Sequence, residues 1–364
     1  MNKSFIINII SVMVILLSVS AWYFLLPGFL SQHTGADVLN STKEKVIVGG
    51  VKTANNNEVG LPEKSVTFGE LLSFQPDAPV RNESVGETYM RASSAIAIDA
   101  HTGTILHYQD GKRRMAIASL TKVMTAVIAI EHIKDLEKEI VTIEQEAFLT
   151  AGTKVGCPSS DYCISNRLRV GEEVTAKNLF DSMLIGSAND AAVSLALHIA
   201  GSQKDFANLM NDKAREIGLI DTNFCNPSGL DEDDNLDGCY STAYDLARIT
   251  AYSMQHDVIW ETMKFKEKEF ISQDGITSHR IVSTDILLDQ LPNCLGGKTG
   301  FTYEAGRSLM MVAHHPVRRD HKVIVVVLDD NYRWADMKIM FDWIFNAYSW
   351  PSGRIVNGDD PTGR

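Results

Sequence analysis

Positive charge is what this chain has too little of. Its 34 lysines and arginines face 46 aspartates and glutamates, leaving a formal net charge of −12 over 364 residues. A protein that grips nucleic acid through its phosphates needs a basic face, so nucleic acid is excluded as an expected partner. The five cysteines contain no C-x2-C pair and no histidine cluster lies beside them, which argues against a zinc site. No metal or cofactor is expected, and no internal repeat is visible.

What the chain does have begins at its N-terminus. From Phe5 to Leu30 it is apolar except for Asn8, three serines, Pro27 and Gly28. A membrane span needs about 20 apolar residues, and a cleaved signal core only roughly 7–15. Val19-Ser20-Ala21 could serve as a cleavage site, but Trp22 to Leu26 carry the apolar run past it. The reading taken is an uncleaved signal anchor over residues 1–30. Lys3 and the α-amino group keep the N-terminus inside, and the rest of the chain is then extracytoplasmic, periplasmic or extracellular. The cysteines fit export: Cys157 with Cys163 and Cys225 with Cys239 read as two local disulfides, with Cys294 left as a free thiol.

Residues 31–90 are rich in Ser, Thr, Asn, Gly and charge, and read as a stalk with at most one docked strand. The compact domain is expected over 94–349, and 350–364 is a polar tail. Ser94 to Ile98 and Thr104 to Tyr108 form a predicted hairpin about the turn at Asp99–Gly103. Leu120 to Ile133 is apolar at helical spacing, so Ser119 opens a helix. Helices are also predicted over Ala176–Ile185 and Ala191–Ile199, the second ended by Gly201. Leu309–Ala313 and Val323–Leu328 read as buried strands, the latter with five consecutive β-branched residues. Trp334 to Tyr348 closes the domain as an amphipathic helix. Strands at both ends with helices between them predict an α/β domain.

Three short motifs carry chemistry: Ser119-Leu120-Thr121-Lys122, Ser187-Ala188-Asn189 and Lys298-Thr299-Gly300. Ser119 and Lys122 are three apart, so on a helix they share a face. A serine hydroxyl is a poor nucleophile until a base takes its proton. A lysine can be that base only if burial or a nearby cation lowers its pKa, and Lys298 could be the cation. Ser187 can pass a proton toward a leaving amine, and the Asn189 amide can hold a substrate peptide group. Gly296 to Gly300 reads as an edge strand to which an extended peptide adds, with Lys298 and Thr299 receiving its terminal carboxylate. The backbone N–H groups of Ser119 and Phe301 would hold the oxyanion. Singly, each motif is equally an ordinary helix start, a capping turn or a glycine turn; the ordered set of three is not.

That set is the signature shared by penicillin-binding proteins and serine β-lactamases. Ala118 to Ala126, Asn226-Pro227-Ser228-Gly229-Leu230-Asp231, Tyr240 to Ala247 and Gly297 to Thr302 followed by Ala305-Gly306-Arg307 extend the resemblance. The chain resembles the serine D-alanyl-D-alanine carboxypeptidases, the low-molecular-mass penicillin-binding proteins, over about 94–330. The resemblance implies the penicillin-binding-protein/serine β-lactamase-like transpeptidase fold, an antiparallel sheet with flanking helices and a helical subdomain. It implies Ser119 as acylated nucleophile, Lys122 as base and Ser187 as relay. Asn189, Lys298, Thr299, Gly300 and Phe301 become the substrate-binding residues, with peptidoglycan stem peptides as substrate and β-lactam antibiotics as inhibitors.

The chain departs from that family in two ways. It has no room for the β-rich C-terminal domain and amphipathic C-terminal anchor of many members, so its N-terminal span would replace that anchor. It also carries an acidic insertion, Asp231 to Gly238. Asp233, Asn235, Asp237 and Gly238 match the opening of an EF-hand loop, but Tyr244 stands where the closing Glu belongs, so a solvated loop pinned by Cys225–Cys239 is expected. A D,D-endopeptidase would use the same residues. A serine β-lactamase of class A would need an extra glutamate, and Ile220 to Asn226 offers none. An inactive wall scaffold would have no use for the complete reactive set.

Overall fold

The computed structural model describes residues 77–158, 162–231 and 238–351. The N-terminal span, most of the stalk, the acidic insertion from 232 to 237 and most of the tail lie outside the described residues. Among the described residues, no helix is long and apolar enough to cross a membrane.

In chain order the first elements are strands β1 (Val80–Arg81), β2 (Ser94–Asp99) and β3 (Ile105–Gln109), then helix α1 (Lys122–His132). Next come β4 (Ile140–Thr142), α2 (Gln145–Leu149), β5 (Glu173–Thr175), α3 (Ala176–Ile185), α4 (Asn189–Ala200) and α5 (Gln203–Glu216). After them follow α6 (Ala243–Ser253), α7 (Asp257–Met263), β6 (Glu267–Ile271) and β7 (Ser278–Val282). The chain closes with β8 (Cys294–Thr302), β9 (Gly306–His314), β10 (Lys322–Leu328), α8 (Arg333–Ala347) and β11 (Tyr348–Ser349).

Five strands form one antiparallel sheet in the order β3-β2-β10-β9-β8. Side chains alternate between the faces of a strand, and both faces here are covered. Val323, Val325 and Val327 join Leu309, Met311 and Ala313 beneath Met337, Met340, Phe341 and Ile344 of α8. Ile324, Val326 and Leu328 join Met310, Val312, Ile96 and Ile98 on the other face, in the core that includes α1, α3 and α6. A strand buried on both faces needs apolar residues at every position, which explains the unbroken β-branched run of β10. Helix α1 is buried from Lys122 through Ala129. An all-round buried helix holds a fixed pose, and this one fixes the start that carries Ser119 and Lys122.

The folded region begins earlier than the boundary near 94. Val80 pairs with Ser349 and Arg81 with Tyr348. Met90 is buried and its backbone N–H and carbonyl are both met by the Gln109 side chain. A two-residue strand has no periodicity to mark it, so the composition of residues 80–90 alone does not separate them from the stalk. Cysteines pair as expected: Cys157–Cys163, Cys225–Cys239, and Cys294 free.

Candidate active site

The residues Ala118–Thr121 form a single 3₁₀ turn that leads into α1. Ala118 sits at φ +47°, a left-handed conformation that costs an L-residue energy and sharpens the approach to Ser119. The segment Asn226–Leu230 crosses directly over this turn. Gly229 has φ +77°, and a Cβ there would collide with the Ala118 carbonyl oxygen, so only glycine lets the two backbones meet. The Asn226 side chain ties the crossing loop by accepting from the N–H groups of Ser228 and Gly229.

Lys122 is wholly buried. Its Nζ donates to Ser119 Oγ at 2.8 Å, Asn189 Oδ1 at 2.7 Å and the Ser228 carbonyl at 2.6 Å. Those three acceptors match the three protons of an ammonium. Burial holds its pKa well below the ordinary lysine value, and the Lys298 charge pushes it further down, against a smaller opposing pull from Asp190. An amine so placed can lose its third proton and take one from the Ser119 hydroxyl.

Ser187 and Asn189 lie at the junction of α3 and α4. Ser187 has φ +59°, a strained conformation for a non-glycine residue. The segment 151–155 holds this junction. Asn189 Nδ2 donates to Ala151 O at 2.8 Å and its backbone N–H to Thr153 O at 2.7 Å, while Thr153 Oγ1 donates to Ser187 O at 3.0 Å. Asp190, buried and raised to about 6 by that burial, accepts from the Val155 N–H at 3.0 Å.

Strand β8 is one of the two edge strands of the sheet and, among the described residues, pairs with β9. Lys298 is buried on it, and its Nζ donates to Ser187 Oγ at 2.8 Å and to Thr299 O at 3.0 Å. Burial, reinforced by the Arg333 charge and opposed by Asp285, lowers its pKa to about 7. Thr299 Oγ1 shares a 2.6 Å hydrogen bond with Thr284 Oγ1. A Cβ on Gly300 would lie 3.0 Å from the Ile117 carbonyl, so glycine permits the strand to pack on the nucleophile turn. Phe301 is half exposed at the rim.

The structure thus gathers Ser119, Lys122 and Asn189 about one buried amine, and Ser187 about another, with Thr299 and Gly300 on the adjoining strand. Several participants had no local sign in the sequence. Arg333, buried at the start of α8, donates from Nη1 to Gly300 O at 2.7 Å and to Ser308 O at 2.9 Å. Asp285 is buried, and burial raises its pKa. Thr284 and the Ser228 carbonyl complete the set. Ser228 belongs to the Asn226–Asp231 segment that resembles the family, and it acts here through its backbone carbonyl. Among the described residues, no group of three or more His, Cys, Asp or Glu is placed to hold a metal ion.

A serine and lysine joined at a helix start, a serine–asparagine turn and a lysine strand define a serine hydrolase of the penicillin-binding fold. The model of the family described as D-alanyl-D-alanine carboxypeptidase matches residues 81–332. The Bacillus subtilis D-alanyl-D-alanine carboxypeptidase DacF is 31% identical over 283 residues, 76% of this chain and 69% of that protein. A crystal structure of a D-alanyl-D-alanine carboxypeptidase from Mycobacterium tuberculosis superposes with a TM-score of 0.64 at 27% identity, covering 75% of this chain and 98% of that one. Penicillin-binding protein D2 of Listeria monocytogenes, in its ampicillin-bound form, gives 0.59 at 27% identity over 71% of this chain and 99% of that one. The chain belongs to the D-alanyl-D-alanine carboxypeptidase family. It is a serine-type carboxypeptidase, a hydrolase of the penicillin-binding class.

Proposed function

We propose that Ser119 performs the reaction as an acylated nucleophile on peptidoglycan stem peptides ending in D-alanyl-D-alanine. Lys122, neutral, takes the hydroxyl proton as Oγ attacks the penultimate carbonyl carbon. The N–H groups of Ser119 and Phe301 hold the oxyanion, and Asn189 positions the peptide group. Ser187 carries a proton to the departing nitrogen, the carbon–nitrogen bond breaks, and D-alanine leaves. Water then hydrolyses the Ser119 ester and restores the hydroxyl. Lys298 and Thr299 bind the terminal carboxylate, and the buried Arg333 charge adds to the positive field there. β-Lactams would enter the same site and remain as an ester on Ser119.

The observation that carries this reading is the 2.8 Å contact between Lys122 Nζ and Ser119 Oγ, made by a buried lysine whose pKa is depressed. The role of Lys298 is tested by Lys298→Ala on two peptides, one with a free terminal carboxylate and one amidated. Loss of a charge-assisted contact predicts at least about a tenfold fall in kcat/KM on the free acid and a much smaller one on the amide. An equal fall on both would contradict carboxylate binding.

We further propose that the enzyme is anchored by its N-terminal apolar run with the catalytic domain outside the cytoplasm. The Phe5–Leu30 hydrophobicity supports this, as do two disulfides in the folded domain, since such bonds persist in oxidising compartments.

A further inference from the structure

The end of strand β8 and the turn after it carry two aromatic side chains that the fold leaves uncovered. Phe301 is half exposed and Tyr303 fully exposed, with ring centroids 5.9 Å apart, edge to face. Arg307 stands directly across the ladder from Phe301, and its guanidinium lies 5.2 Å from that ring's centroid. This cation–π contact steadies the Phe301 ring at the rim. A tyrosine this exposed adds little to folding, since its apolar area is not removed from solvent.

The direction of the substrate strand gives these rings an occupant. A peptide whose carboxylate lies at Lys298 and Thr299, with its scissile carbonyl beside Ser119, runs antiparallel to β8. Its residues upstream of the scissile bond must then pass Phe301, Thr302 and Tyr303 in that order. Tyr303, the first residue of the turn that follows β8, lies two residues beyond Phe301. We propose that Tyr303, supported by the Phe301 ring, is a specificity-determining platform for the stem peptide about two residues upstream of the penultimate D-alanine. The platform rewards long stems over short acyl-D-alanyl-D-alanine peptides. This inference rests on the carboxypeptidase reading of the site.

The test compares release of D-alanine from an acetylated tripeptide and from a pentapeptide stem, both ending in D-alanyl-D-alanine. Loss of the apolar contact area that the Tyr303 ring offers the peptide predicts that Tyr303→Ala raises KM for the pentapeptide about three- to tenfold. Its kcat should stay within about twofold, and both parameters for the tripeptide should be unchanged. Tyr303→Phe should behave as the unaltered enzyme, because the ring and not the hydroxyl does the binding. An equal change on both peptides, or none on either, overturns the proposal. If the unaltered enzyme releases D-alanine from neither peptide, the carboxypeptidase reading itself fails and takes this inference with it.

Discussion

Ser119, Lys122, Ser187, Asn189 and Lys298 were legible because each sits in a short motif whose spacing survives folding. The groups that tune them were not. Asp285 and Arg333 act across space on Lys298 from a loop and from the start of α8, and no local motif marks either residue; only the fold brings them to β8. Their effect is electrostatic and has a sign. Lys298, lowered to about 7, is held up by Asp285 and pushed down by Arg333. Binding of a carboxylate needs Lys298 charged, whereas attack needs Lys122 neutral. The rate of acylation by penicillin should therefore rise with pH through the depressed pKa of Lys122 and fall through that of Lys298. Asp285→Asn removes the group that raises the Lys298 pKa, so the alkaline limb should move to lower pH, by up to about one unit. Acylation rates from pH 5 to 9 measure it; a limb that stays in place or moves upward contradicts this coupling.

At the scale of elements, periodicity located the helices α1, α3, α4 and α8 and four of the five strands of the main sheet. The helices over 176–185 and before Gly201, the hairpin of β2 and β3, and the strands β9 and β10 all follow from apolar spacing. The strand pairs β4–β5 and β6–β7 and the helices α2, α5, α6 and α7 are not among the elements it predicts. β6 reads Glu-Lys-Glu-Phe-Ile, largely exposed, and three- to five-residue strands of this kind are defined by their partners and not by a buried face. The crossing of the 226–230 segment over the nucleophile turn was also beyond reach, since glycine in a sequence does not say which backbone it meets. Gly229→Ala should force the crossing apart and misplace Ser119. Displacements near 1 Å at a reacting centre cost on the order of 10²-fold in rate. We expect that loss in penicillin acylation with a circular dichroism spectrum unchanged; wild-type acylation by Gly229→Ala would contradict the account.

For the whole molecule, each disulfide lies next in sequence to a segment that holds a side chain of the site. Cys157 follows the segment that binds Asn189, and Cys225 precedes the one that binds Lys122. Their pairing was readable from proximity in sequence, but their position around the reactive centre needed the fold. The start of the folded region at Val80 also emerged only from its pairing with β11 near the other end of the chain. The anchor proposal concerns the full chain: in cells it should sediment with membranes, and a variant lacking residues 1–30 should not. Recovery of the full chain in the soluble cytoplasmic fraction would contradict it. The central claim is that Ser119 forms the acyl-enzyme, and intact-mass spectrometry after mixing with penicillin tests it most directly. The unaltered protein should gain the mass of one penicillin, mapped to Ser119, and Ser119→Ala should gain none. An adduct on Ser119→Ala, or none on the unaltered protein, would contradict the assignment.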